Sequence, residues 1–292
     1  MPSRALVVDV AVPAMVFLLM LVVGAGLTLD DFRRVGRHPR VIVGATLAQV
    51  VGLPLLGGLL VWTFDPPAAL AAGLVLLTAC PGGALSNVYT YLARAHTALS
   101  VTLTAVSSVV SVVTLPLAVR VGFQWLLADE ARVTVPVLVT MGQLVALLLV
   151  PIALGMVGHA WWPTWVARHR RTFERASLFG VITIVSFVLA TEAHVLAADF
   201  TAVAGLALMF SGLAMTAGWL VGRWLSPSPA DHFTVMIEFG TRNLGIAVVV
   251  AVTLLGRPEF LAIGAVLFVV QAALALLSVA IYRRRTAGVT VT

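Results

Sequence analysis

Nine stretches of this chain run for eighteen or more residues with scarcely a charged group, and short polar joints separate them. About 20 apolar residues carry a helix across the hydrocarbon core of a bilayer. In lipid every backbone N–H and C=O must be paired within the protein, which leaves helices or a closed barrel as spanning structures. A barrel needs alternating strands of about ten residues, and these runs are longer and continuously apolar. The expectation is an all-α polytopic membrane protein, with residues 1–292 forming one transmembrane domain.

The runs lie near Val8–Leu27, Val41–Phe64, Ala68–Tyr91, Ala95–Leu117, Thr134–His159, Ala176–Ala193, Thr201–Trp224, His232–Leu255 and Glu259–Tyr282. Composition agrees: 61% of residues are apolar, 10% are charged and mean hydropathy is +1.07. Soluble domains carry about 25% charged residues, so a water-soluble fold is excluded. The net charge of +6 comes from arginines scattered through short joints, with no lysine, a pattern that sets membrane orientation rather than one that binds nucleic acid.

With an odd number of spans the termini lie on opposite sides. Joints of one parity hold thirteen arginines: Arg33, Arg34, Arg37, Arg40, Arg94, Arg168, Arg170, Arg171, Arg175, Arg223 and Arg283 to Arg285. The other side has only Arg4, Arg120, Arg132 and Arg257. The positive-inside rule then puts the C-terminus in the cytoplasm and the N-terminus outside, in a bacterial inner membrane. No cleavable signal sequence is expected, because Val12–Leu27 is followed by Asp30, Asp31 and Arg33.

Two runs carry polar groups at their centres. Glu238 and Arg242 lie one helical turn apart inside an apolar segment that also holds Gly240, Thr241, Asn243 and Gly245. A charge at that depth costs about 2.5 to 3.5 kcal/mol on insertion scales, so it must face a cavity, a partner or an ion. At i and i+4 the two side chains can satisfy each other as an ion pair, but that pairing leaves the glycines, Thr241 and Asn243 unexplained. The third run has a similar interruption: Pro81, Gly82 and Gly83 break the helix before Ser86 and Asn87. Corresponding breaks in two halves point to an inverted-repeat transporter with its site at the bilayer midplane. Ser100 and Thr104 sit one turn apart on the next run and can face the same place. Ser107, Ser108 and Ser111 suit ordinary helix packing. Hydroxyls, an amide carbonyl, a carboxylate and freed backbone carbonyls make a donor set for a hard cation such as sodium.

The run Cys80-Pro-Gly-Gly-Ala-Leu-Ser-Asn-Val-Tyr-Thr-Tyr-Leu-Ala-Arg, with Ala98-Leu-Ser-Val after it, resembles the signature of the bile acid:sodium symporter family. So do Ile237-Glu-Phe-Gly-Thr-Arg-Asn-Leu-Gly-Ile-Ala, Val23-Gly-Ala-Gly-Leu-Thr-Leu and Ala48-Gln-Val-Val-Gly-Leu-Pro. The resemblance covers nearly the whole chain. It implies inverted repeats, a panel domain (about 8–29, 134–159 and 173–196), a core domain (about 40–123 and 200–283), and two interrupted helices that cross in the core. Bacterial members often have ten spans with both termini inside, so the nine counted here correspond to loss of the first.

The resemblance also implies site residues. One sodium falls to Ser86, Asn87, Ser100, Thr104 and Glu238. A second falls to Gln49, Glu238, the backbone of Phe239 and Thr241, and a glutamine where this chain has Arg242. A guanidinium there takes the charge and space of the second cation, so coupling to one sodium, or to none, is expected. The substrate site falls near Gly83, Ala84, Asn243 and Gln271. Ala84 stands where a threonine is common, and Gln271 and Ala272 stand where a histidine and an asparagine are found. Two half-helix N-termini favour an anion, and a small carboxylate or sulfonate is the expected substrate.

Three alternatives compete. An arsenite-type efflux permease would use Cys80 with a glutamate, yet Cys80 directly precedes the Pro-Gly-Gly break. An intramembrane enzyme would need a nucleophile with a positioned base or a metal motif such as His-Glu-x-x-His, and all six histidines lie at joints or span ends. A membrane sensor would need a signalling domain, and no joint or tail is long enough.

Overall fold

The computed structural model describes residues 12–37, 39–126, 136–169 and 200–287, with 172, 175, 179, 182, 183 and 186. The expected sixth span, Ala176–Ala193, and the third panel range, 173–196, fall largely outside these residues, as does the start of the first span. All regular structure among the described residues is helical, apart from one isolated β-bridge.

Helix α1 (Val12–Ala25) leads through a tight turn into α2 (Leu29–Arg37), a short amphipathic helix. Thr28 sets this start: its N–H and hydroxyl both donate to the Asp31 carboxylate, at 2.7 and 2.8 Å, while its carbonyl accepts the Asp31 N–H at 3.1 Å, so the carboxylate satisfies the N–H at the helix start. Next come α3 (Pro39–Phe64), α4 (Ala68–Ala79), α5 (Leu85–Ala93) and α6 (Thr97–Leu126). They are followed by α7 (Val137–Trp161), α8 (Phe200–Leu225), α9 (Pro229–Gly240), α10 (Leu244–Leu254) and, after a 3-10 turn at Pro258–Leu261, α11 (Ala262–Ala287).

Among the described residues, five helices are long and apolar enough to cross a membrane: α3, α6, α7, α8 and the Pro258–Thr286 unit. Three shorter apolar helices accompany them, and two of these, α4 and α10, belong to interrupted runs. Most long helices are apolar around their whole circumference, as suits elements bathed in lipid on one side and buried on the other. Their outward faces carry Leu55, Trp125, Leu138 and Leu154. The fourth run continues past its expected end at Leu117 to Leu126, with Arg120 on the exposed side of that helix.

Helices α1 and α7 touch backbone to backbone. A Cβ on Gly24 would overlap the Ile152 backbone, and one on Gly155 would overlap that of Leu21. Such small-residue contacts are how membrane helices gain packing without a hydrophobic drive. Helix α7 is wound as a π-helix over Val145–Leu149 where it faces α1. Helix α8 packs on α9, α3 and α11, while α6 packs on α3, α4, α5 and α9. These helices surround the two interruptions.

Candidate functional site

The two interrupted runs meet at their breaks. Helix α4 ends at Ala79, and the chain passes through Cys80 to Ala84 before α5 begins. Helix α9 ends at Gly240, and Thr241 to Asn243 lead into α10. These unwound segments pair antiparallel, Gly82 opposite Arg242. Gly83 N–H donates to the Thr241 carbonyl at 3.0 Å, and Asn243 N–H donates to the Pro81 carbonyl at 3.1 Å. Backbone groups freed by each break thus satisfy those freed by the other, where an unpaired group would cost several kcal/mol, about the penalty for leaving one bare in lipid.

Side chains finish the pairing. Gln271 of α11 accepts the Arg242 N–H at 2.9 Å through Oε1. Asn243 caps α10 by accepting the Ile246 N–H at 3.3 Å. Both residues were expected to serve a substrate; here their oxygens are engaged by the crossing itself. Helix α5 starts at Leu85 with Ala84 preceding it and no side-chain cap. Ser86, expected near that start, points its hydroxyl elsewhere.

Glu238 is completely buried. Its carboxylate accepts from Ser86 Oγ at 2.6 Å, from Thr104 Oγ1 at 2.9 and 3.1 Å, and from Ser100 Oγ at 3.5 Å. Thr104 also lies 3.5 Å from Asn87 Oδ1. Five residues on α5, α6 and α9 therefore form one oxygen-rich cluster: Ser86, Asn87, Ser100, Thr104 and Glu238. Gly82 permits it, since a Cβ there would overlap the Glu238 carboxylate. Ser107 and Ser111 turn instead to carbonyls of their own helix, at 3.1 and 2.8 Å, in keeping with packing.

Arg242 does not form the ion pair its spacing allows. Its guanidinium donates to the backbone carbonyl of Glu238 and, at 3.0 Å, to that of Cys80. Gln49 of α3 satisfies its neighbours with its amide oxygen turned to the crossing, where it accepts from both terminal nitrogens of Arg242 at 2.9 Å and from Gly82 N–H at 3.1 Å. Arg242 is only 2% exposed, and its Nε has no partner. Four of the residues expected around a second cation, Gln49, Glu238, Thr241 and Arg242, thus lie at one place, with Phe239 buried beside them. Gly83, Ala84 and Asn243 lie along the paired segments, and Gln271 reaches them from α11. The resemblance placed Gln49 and Gln271 near the site but did not show that Gln49 bridges the two breaks from α3 or that Gln271 reaches the second from α11; apart from it, each is a lone amide in an apolar run.

A helical chain with many apolar helices and a charged, hydroxyl-lined crossing at the heart of its core belongs to the class of polytopic membrane proteins. Residues 13–199 match the model of the Sodium Bile acid symporter family, and the chain belongs to that family. It is therefore placed among transporters rather than enzymes. The chain is 28% identical over 239 residues to an uncharacterized sodium-dependent transporter, YocS, of Bacillus subtilis, covering 81% of this chain and 72% of that one. It is 29% identical over 238 residues to a probable chloroplastic sodium/metabolite cotransporter, BASS2, of Oryza sativa, covering 80% and 54%. With the related BASS1 of Arabidopsis thaliana the figures are 30% over 243 residues, 82% and 58%. The matched region spans little more than half the length of these plant relatives. The family match includes the first break and α6 but ends before α8, so the segment with Glu238 and Arg242 lies beyond it.

Proposed function

We propose that this protein is a secondary active transporter of a small organic anion that couples to one sodium ion or to none, with Arg242 standing where a second cation would sit. The observation that carries the reading is the double character of the crossing. On one side a buried carboxylate is ringed by the hydroxyls of Ser86, Ser100 and Thr104, a donor set for a hard monovalent cation. On the other, a guanidinium bonds to Gln49 and to the Cys80 and Glu238 carbonyls, neutral oxygens of the kind that would otherwise ligate a cation. The names of the Bacillus and plant relatives, sodium-dependent transporter and sodium/metabolite cotransporter, support sodium coupling.

Architecture and orientation are part of the proposal. Nine spans and an outside N-terminus follow from the apolar runs and the arginine distribution, inverted repeats from the two corresponding breaks, and the panel and core division from the family resemblance; the close contact of α1 with α7 supports the last of these. Anion recognition by Gly83, Ala84, Asn243 and Gln271 is supported by their place along the paired breaks. Thermal stability of the purified protein, measured across carboxylates and sulfonates with sodium or choline as cation, tests the reading. Stabilisation by an anion that sodium strengthens, with a Hill coefficient near one, is expected. A sodium Hill coefficient clearly above one in uptake would refute the occupied second site.

A further inference from the structure

Helices α6 and α9 contact each other and start at the same end of the bundle, and a side-chain pair joins their first turns. His96 Nδ1 lies 2.7 Å from Asp231 Oδ1, with the side chains 49% and 14% exposed. The second Asp231 oxygen accepts from Ser226 Oγ at 2.6 Å, and His232 Nε2 lies 2.7 Å from the Ser226 carbonyl, so the carboxylate is anchored in the turn between α8 and α9. His96 is anchored too: its carbonyl accepts the N–H groups of Leu99 and Ser100, at 3.0 and 3.2 Å, and opens α6. Phe233 stacks against Tyr282 of α11 at 4.4 Å between ring centroids, so the α9 end of the pair is braced.

We propose that His96 and Asp231 are positioning residues that lock the axial register of α6 against α9, and so hold Ser100 and Thr104 against Glu238. From Asp231 to Glu238 is seven residues, roughly 10 Å of helix at about 1.5 Å per residue. From His96 to Thr104 is eight, a nearly equal climb. A slip of one residue displaces one helix by about 1.5 Å, which the 2.9 and 3.1 Å contacts of Thr104 with Glu238 do not survive. Helix α9 is held at the break by the pairing of Gly82 with Arg242 and at its other end by Asp231, so the His96–Asp231 contact ties α6 to a helix that is itself fixed. The register lock rests on the cation reading only for its benefit to sodium; the positional claim stands on the geometry of the two helices.

Full-length protein in lipid nanodiscs is compared as wild type, His96→Ala, Asp231→Ala and the exchange His96→Asp with Asp231→His. Amide hydrogen exchange is followed over 97–108 and 232–243, and sodium half-saturation is followed by thermal shift at constant ionic strength with choline. Each alanine variant is expected to speed exchange in both segments about two- to five-fold, the range for loss of a partly exposed side-chain pair, and to raise the half-saturating sodium concentration by a similar factor. The exchanged pair is expected to return both towards wild type. Unchanged exchange in His96→Ala, or no recovery in the exchanged pair, overturns the register lock. If wild type shows no sodium response, the cation reading falls, and the exchange comparison alone decides the lock.

Discussion

The guanidinium of Arg242 bonds the backbone carbonyl of Glu238, four residues earlier, while the Glu238 carboxylate turns to Ser86 and Thr104. The two charges share one break yet take separate partners. A carboxylate satisfied by hydroxyls keeps lone pairs available to a cation, whereas one gripped by arginine would not.

Replacing Arg242 by glutamine removes the fixed charge and releases Gln49 and the Cys80 and Glu238 carbonyls. Arg242→Gln is expected to gain a second sodium-dependent component, read as a Hill coefficient rising from near one to above one in sodium-induced thermal stabilisation. An unchanged coefficient counts against Arg242 as a stand-in for a cation.

Glu238→Gln keeps the size of the side chain and an oxygen able to accept from Ser86 and Thr104. The variant is expected to fold and to lose sodium-specific stabilisation, seen as equal melting temperatures in sodium and in choline. Persistence of the sodium effect would move the cation elsewhere.

Gly82→Ala is expected to be the most damaging single methyl in the crossing. Its Cβ overlaps the Glu238 carboxylate, while a Cβ on Gly83 comes only to 3.0 Å from the Arg242 carbonyl. Overpacking of this kind costs about 1 to 3 kcal/mol, so Gly82→Ala should lower the melting temperature and monodisperse yield more than Gly83→Ala. Size-exclusion profiles of the two, side by side, check the order.

Cys80 contributes its backbone carbonyl to Arg242. Cys80→Ser is expected to leave sodium-dependent stabilisation and anion response within error of wild type. Loss of either would revive a thiol-dependent mechanism of the arsenite-permease kind.

The apolar runs fixed most of the helical order in advance because hydrocarbon leaves a backbone few choices. The breaks at Pro81–Gly83 and around Gly240–Asn243 were legible for the same reason: polar centres stand out against apolar flanks. Partner choice was not. Spacing of four residues permits a Glu238–Arg242 ion pair, and only the three-dimensional meeting of α3, α4 and α9 shows Gln49 and Cys80 as the acceptors instead. Gln271 is a lone amide on the last helix, and nothing local says that it reaches the Arg242 N–H. The tie between His96 and Asp231 joins residues 135 apart in the chain, beyond any local pattern.

Arg242 stays with the protein through every turnover, which bears on how membrane voltage acts on the proposed cycle. With Glu238 ionised, the unloaded crossing sums to zero, and so does the crossing with one sodium and one singly charged anion. A voltage contributes about 2.3 kcal/mol per elementary charge per 100 mV. A carrier built this way returns empty and moves loaded without that term, so its driving force is the concentration ratio of the ions it carries.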